Sequence, residues 1–75
     1  MRVHVYSARS FERNSLSRAL SKAGHLCVLS TAALNIETTH LAAGFDAVCI
    51  FSRDDASAAV IRKLSEEGVR YITLK

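Results

Sequence analysis

Three basic residues stand where predicted strands end, and they are the best candidates in this sequence for binding a ligand: Arg9, Arg53 and Lys75. Because the carboxyl ends of parallel strands meet at one edge of a sheet, we expect the three side chains to line a common rim. Two of the strand ends lead directly into helix N-termini, whose N–H groups and dipole also favour anions. The pattern predicts a binding site for a small carboxylate or phosphate. The alternative is that the three basic side chains are solvated charges on loops.

Other kinds of site lack the residues that they need. A dinucleotide site needs a glycine-rich turn after the first strand, and residues 7–10 contain no glycine. A phosphate-accepting regulator domain needs an aspartate at the end of its third strand, where this chain has Ser52. The acidic pair Asp54 and Asp55 follows, and we predict that it caps a helix rather than binds a metal. No catalytic residues, bound cofactor or metal ligands are therefore predicted.

The histidines and cysteines are predicted to be structural or surface residues. His4, His25 and His40 have no acid, nucleophile or further ligand at a defined spacing, so we expect surface or half-buried side chains. Cys27 and Cys49 each lie inside an apolar stretch, where a reduced thiol packs as a small hydrophobic group. The alternative is a disulfide between them.

Three glycines divide the chain into strands and helices. Each of Gly24, Gly44 and Gly68 follows a helix-like segment and precedes an apolar, β-prone one, as glycines just beyond helix ends do. The predicted strands are residues 2–6, 26–29, 47–51 and 69–74. The third is the most apolar, which predicts a central strand buried on both faces.

Each predicted helix begins at a residue type that caps helix N-termini. Ser10 precedes the first helix, Asn35 precedes a helix over residues 36–43, and the acidic pair precedes the last. The apolar face of the first helix is Leu16, Ala19, Leu20 and Ala23. The apolar face of the last is Val60, Ile61 and Leu64. Strands and helices thus alternate about every 22 residues, which predicts a parallel α/β sheet in β-α-β-α-β-α-β order.

Length and composition fit one globular α/β domain over residues 1–75, because so short a chain cannot build two cores. With 49% hydrophobic and 23% charged residues, the chain is neither disordered nor of low complexity. The net charge of +3 comes from dispersed residues, and 7% aromatics are too few for a base-stacking surface, so no nucleic acid is expected. No apolar run approaches the ~20 residues of a membrane span. The first residues alternate, unlike a signal peptide, so we expect a cytoplasmic protein.

Residues 47–55, AVCIFSRDD, resemble the D-isomer-specific 2-hydroxyacid dehydrogenases, and most closely the bacterial fermentative D-lactate dehydrogenases. The resemblance extends over the whole chain. It is carried in addition by VYS at 5–7 with FER at 11–13, by LAAGFD at 41–46 and by GVRYITLK at 68–75.

The resemblance implies a flavodoxin-like, three-layer fold with a parallel sheet in the order 2-1-3-4. In that family the sheet belongs to the catalytic (substrate) domain, into which a separate NAD-binding domain is inserted. The family's glycine-rich cofactor loop and its catalytic Arg, Glu and His lie beyond the matched region. We therefore expect a truncated, N-terminal segment of such a domain, inactive without the rest and binding no NAD itself.

The resemblance also implies a site in the loop after the third strand, where backbone N–H groups of the family meet the substrate carboxylate. In this chain the loop is Ser52, Arg53 and Asp54. The family usually has Val-Asn before its Asp-Asp pair, so Ser52 and Arg53 depart from its pattern. The implied substrates are small 2-hydroxy and 2-keto acids.

A different class of function remains open, namely a standalone α/β module that binds a small anion or forms a homodimer without catalysis. The strand from Val69 to Leu74 would lie at the sheet edge with unpaired N–H and C=O groups. A two-fold axis would pair it antiparallel with the same strand of a second copy.

Overall fold

The structure, a computed structural model, describes residues 1–8 and 18–74. Its strands are β1 (Arg2–Val5), β2 (Leu26–Leu29), β3 (Ala47–Ile50) and β4 (Tyr71–Leu74). Residues 18–22 are helical and are called α1, a 3-10 helix spans Thr39–Ala42, and α2 spans Ala58–Glu66. The predicted cap Ser10, the apolar Leu16 and two members of the basic rim, Arg9 and Lys75, lie outside the described residues.

The four strands form one sheet in the order β2-β1-β3-β4, and every neighbouring pair is parallel. In register, Val3 of β1 lies between Cys27 of β2 and Ala47 of β3, and Ala47 in turn pairs with Tyr71 of β4. The predicted α/β fold and strand order are confirmed. The predicted central position of β3 is confirmed as well, and Val48 within it is fully buried.

Alternation along the strands sends side chains to two faces, each covered by helix. On one face Tyr6, Val48 and Ile50 pack with Val60 and Leu64 of α2; we call this the α2 face. On the other, the α1 face, the core consists of Val3, Val5, Ala8 and Ala47 with Leu20 of α1 against it. The chain therefore folds in three layers, as parallel sheets require for covering both faces.

The helix predicted over residues 36–43 is not an α-helix. Residues 36–38 form a turn, and only Thr39–Ala42 continue as a 3-10 helix. Asn35 Oδ1 accepts hydrogen bonds from the N–H groups of Glu37 (2.8 Å) and Thr38 (3.1 Å), and Thr38 Oγ1 donates to Ala33 O (2.7 Å). These local bonds stabilise a tight turn in competition with a regular helix. Asn35 thus stabilises the turn, and the N-cap of the 3-10 helix is Thr38, so the prediction of a helix capped by Asn35 was wrong.

The start of α2 also differs from the prediction. The N-cap is Ser57, in an extended conformation and with no hydrogen bond from its side chain to the helix. Asp55 Oδ1 instead accepts from Ser57 N (2.9 Å), and Asp54 lies further back in the loop. The prediction that the acidic pair caps the helix was therefore wrong.

The buried face of α2 is narrower than the sequence predicts. Val60 and Leu64 are buried, whereas Ile61 keeps 44% of its surface exposed. Consecutive helix positions are ~100° apart, so a helix that contacts the sheet through Val60 and Leu64 turns Ile61 towards its flank.

The end of α2 is a Schellman motif built on Gly68. This glycine has φ +99°, its N–H donates to Ser65 O (3.0 Å), and Val69 N–H donates to Leu64 O (3.0 Å). Val69 and Leu64 also share the core of the α2 face. The left-handed residue turns the chain back to the sheet and begins the approach to β4.

In the described ranges, 1–8 and 18–74, no helix has the length and apolar character needed to cross a membrane.

Candidate functional site

The carboxyl ends of β1, β2 and β3 surround a cleft of about 360 Å³. Its walls are Ser7 and Ala8 after β1, Thr31 and Ala33 after β2, and Phe51 and Arg53 after β3. This is the edge at which ligands bind to open parallel sheets. Of the three cations predicted to line it, Arg53 does so, while Arg9 and Lys75 lie outside the described residues.

Asp54 lies beneath this cleft and holds its walls together. Its Oδ1 accepts hydrogen bonds from Ser7 Oγ (2.7 Å) and Leu34 N (3.0 Å), and its Oδ2 accepts from Phe51 N (2.9 Å). The residue is only 9% exposed. One carboxylate thus joins the loops after β1, β2 and β3, and we call these contacts the Asp54 clasp.

Ser7 is held in a strained conformation by the clasp. Its φ of +53° lies in the left-handed region, which costs a non-glycine residue roughly 1 kcal/mol or more. The hydrogen bond from its hydroxyl to Asp54 and that from its N–H to Ala32 O (2.8 Å) fix it there. Ala8 N–H likewise donates to Ser30 O (2.9 Å). The N–H groups of Ser7 and Ala8 are therefore both occupied by backbone carbonyls.

The three residues predicted to bind substrate lie at different depths. Ser52 and Arg53 are exposed in the turn after β3, and Arg53 lines the cleft. Asp54 is buried, and its N–H already donates to Phe51 O (3.0 Å). Within the described part of the chain the backbone N–H of Arg53 has no acceptor, and its guanidinium forms no hydrogen bond or ion pair. Arg53 thus offers both kinds of donor to an anion.

His4 is buried close to this edge, which corrects its predicted surface or half-buried position. It is 3% exposed, with its ring 4.6 Å from that of Tyr6 and 5.2 Å from that of Phe45. Its Nε2 lies 3.3 Å from Ser30 Oγ, and its buried Nδ1 has no hydrogen-bond partner among residues 1–8 and 18–74. Burial lowers the pKa of the imidazole below 6.5. The signal that would have found this is the alternation of β1, which puts His4 on the same face as Tyr6.

The other two histidines are where the sequence predicts them. His25 is half-buried, with Nδ1 3.1 Å from the N-terminal amine, and His40 is exposed. Tyr6, the neighbour of His4, donates its hydroxyl to Thr38 O (2.8 Å). Burial first, and then the charges of Asp54 and Glu67, raise the pKa of this hydroxyl to about 12.

The two cysteines are half-buried and are not joined by a disulfide, where the sequence predicts buried, reduced thiols. Strand β1 separates them, since Cys27 pairs with Val3 and Cys49 with Val5. Two strand spacings are ~10 Å, beyond the ~7 Å that a disulfide tolerates between Cα atoms. Cys49 Sγ accepts a hydrogen bond from Thr73 Oγ1 (3.1 Å).

No family model matches the chain, but comparison with known proteins found related sequences and structures. Over its 75 residues the chain is 33% identical to a D-lactate dehydrogenase of Escherichia coli and 32% identical to a 2-hydroxyacid dehydrogenase homolog of Zymomonas mobilis. A solved Salmonella D-lactate dehydrogenase superposes on 99% of the chain with a TM-score of 0.93 and 34% identity. The resemblance to 2-hydroxyacid dehydrogenases is confirmed. The chain nevertheless covers only 23% of each of the two relatives and 22% of the Salmonella structure.

Proposed function

We propose that the chain is the N-terminal segment of the substrate domain of an NAD-dependent D-2-hydroxyacid dehydrogenase, acting on D-lactate or another small D-2-hydroxy acid. The observation that carries this proposal is the cleft at the carboxyl ends of β1–β3, which presents Arg53 to solvent above the Asp54 clasp. The match of the whole chain to D-lactate and 2-hydroxyacid dehydrogenases supports it.

In this proposal the segment binds and orients the substrate. The backbone N–H of Arg53 holds the substrate carboxylate, and the Phe51 side chain forms an apolar wall beside it. The Asp54 clasp keeps both residues in place against Ser7. The N–H groups of Ser7 and Ala8 are occupied, so no step involving the cofactor is assigned to these residues.

A chimeric enzyme tests the proposal. The matching segment of the E. coli D-lactate dehydrogenase is replaced by these 75 residues, and reduction of pyruvate by NADH is followed with the parent enzyme as control. We expect a measurable rate from the chimera. The 75-residue chain without a partner should neither bind NADH in a fluorescence titration nor reduce pyruvate.

Two results would contradict the proposal. One is a chimera with the sedimentation and circular dichroism of the parent that reduces no 2-oxo acid. The other is saturable binding of NADH by the 75-residue chain, which would place a cofactor site in this segment.

A second candidate is a small-anion-binding module without catalysis. It is favoured by Arg53, which lines the cleft and whose guanidinium forms no ion pair within the described residues. Under this proposal the chain binds acetate and inorganic phosphate as well as 2-oxo acids, and the chimera is inactive.

A further inference from the structure

In the described part of the chain the guanidinium of Arg53 has no partner, and this indicates which substrates the cleft prefers. We propose that the cleft takes 2-oxo and 2-hydroxy acids that carry a second carboxylate, and that Arg53 binds this second group. The inference rests on the proposed function, because it assumes that one carboxylate of the substrate is already held by the loop after β3.

The charge on Arg53 is not neutralised by the acidic residues next to it. Both oxygens of Asp54 accept hydrogen bonds from within the clasp, and Asp54 is not among the residues that line the cleft. Asp55 Oδ1 accepts from Ser57 N, on the α2 side of the loop. Within residues 1–8 and 18–74, neither carboxylate forms an ion pair with Arg53. Among the described residues that line the cleft, the guanidinium of Arg53 is therefore available to an anionic ligand.

The remaining lining divides the cleft into regions of different chemistry. Ala8, Ala33 and Phe51 are apolar, whereas Ser7 and Thr31 contribute hydroxyl groups. The volume of about 360 Å³ is within the range of small-molecule sites, ~300–1,000 Å³. A five-carbon diacid therefore has room to place one carboxylate at the backbone of the loop and the other at the guanidinium. The planar fork of arginine matches a carboxylate with two parallel hydrogen bonds.

The size of the preference follows from the exposure of Arg53. A substrate without the second carboxylate leaves the guanidinium in water at no cost, so discrimination comes only from the ion pair formed with a diacid. An exposed pair of this kind contributes up to ~1 kcal/mol, which corresponds to about fivefold in affinity.

The test compares two ligands that differ at one end. The ¹⁵N-labelled 75-residue chain is titrated with 2-oxoglutarate and with 2-oxopentanoate, which has a methyl group in place of the second carboxylate. Amide shifts of Ser7, Thr31 and Arg53 report on the cleft. Two variants lose the same charge: Arg53→Gln within the cleft, and Arg62→Gln on the exposed side of α2 as the control.

We expect 2-oxoglutarate to bind about fivefold more tightly than 2-oxopentanoate, with Arg53→Gln abolishing the difference and Arg62→Gln preserving it. Equal affinities for the two ligands, a preference that survives Arg53→Gln, or absence of binding would overturn the inference. If 2-oxopentanoate shifts the same amides with equal affinity, the inference fails while the proposed function stands. Failure of the proposed function is detected separately, by an inactive chimera.

Discussion

His4 is a buried base without a partner on one of its nitrogens, and this links the stability of the fold to pH. Because burial lowers the pKa of His4 in the folded state, the unfolded chain binds more protons than the folded chain below pH 6.5. The contribution of His4 to stability is therefore complete above pH 6.5 and is lost as the pH falls through its lowered pKa.

Urea denaturation between pH 5 and 7.5 should show the free energy of unfolding falling towards acid. We expect His4→Phe to reduce this fall, since the protonation site is removed, and exposed His40→Gln to leave it unchanged. An identical pH dependence in His4→Phe would show that other groups cause it.

The Asp54 clasp predicts a large effect for a single side chain. Asp54→Ala leaves Ser7 Oγ, Leu34 N and Phe51 N without their acceptor, and we expect a loss of about 2–4 kcal/mol in the free energy of unfolding. Asp54→Asn keeps one acceptor oxygen and should cost less. Asp55→Ala, at an exposed neighbour, is the matched control, with an expected loss of about 1 kcal/mol or less. Similar losses for Asp54→Ala and Asp55→Ala in urea denaturation would contradict the clasp.

The residues around the Asp54 clasp also show which positions in the site could be predicted from the sequence. Arg53 was placed correctly at the cleft because its position follows from the end of a strand. Asp54 was assigned to the helix cap, since capping is the local role of an aspartate before a helix. Its actual donors come from Ser7 and Leu34, which are distant in sequence, and no local spacing encodes that meeting.

Among the secondary-structure elements, the end of α2 gives a prediction about backbone conformation. A Cβ at Gly68 would meet no heavy atom within 4 Å, so Gly68→Ala causes no clash with neighbouring residues. It still places an L-residue at φ +99°, and we expect a loss of roughly 1–2 kcal/mol. A chain of 75 residues is accessible to chemical synthesis, so D-alanine at position 68 provides the control. The D-residue should be neutral or slightly stabilising in thermal denaturation, and equal losses for both enantiomers would contradict the argument.

The strands could be read from the sequence more accurately than the helices. Each of the four predicted runs became a strand; the second has its predicted bounds, and the other three are shorter by one or two residues at one end. The helix predicted for the segment after Asn35 was wrong because the residue pattern there fits both a helix and a series of turns stabilised by side chains. Hydrogen bonds from Thr38 to Ala33 and from Tyr6 to the Thr38 carbonyl favour the turns. The second of these depends on tertiary contact and is not visible in local spacing.

At the scale of the whole molecule, the edge strand β4 predicts self-association of the chain. All four of its residues are exposed, and Leu74 keeps 68% of its surface accessible. Tyr71 N–H bonds to Asp46 O, so by alternation the N–H of Ile72 points away from the sheet. We expect a two-fold dimer in which β4 pairs antiparallel with the same strand of a second copy.

Sedimentation equilibrium at high micromolar concentration tests this dimer. Ile72→Lys introduces a charge at the edge and should yield monomer. Ile61→Lys, at a residue of similar exposure on α2, should leave the association unchanged. A wild-type chain that sediments as an 8.2 kDa monomer would exclude the dimer.

The parallel register has a consequence for how the chain reaches its fold. Val3 pairs with Cys27 and Ala47 with Tyr71, so the shortest sheet contacts close loops of roughly 24 residues, and no hairpin forms first. The pairing of β1 with β3 spans nearly twice that distance. A strand can therefore pair with its neighbour only after the crossover between them has formed. We expect the chain to fold slowly for its size, as small domains with mostly non-local contacts do. During synthesis β1 and β2 emerge early, yet β1 lacks its second neighbour until the chain has grown past Ile50.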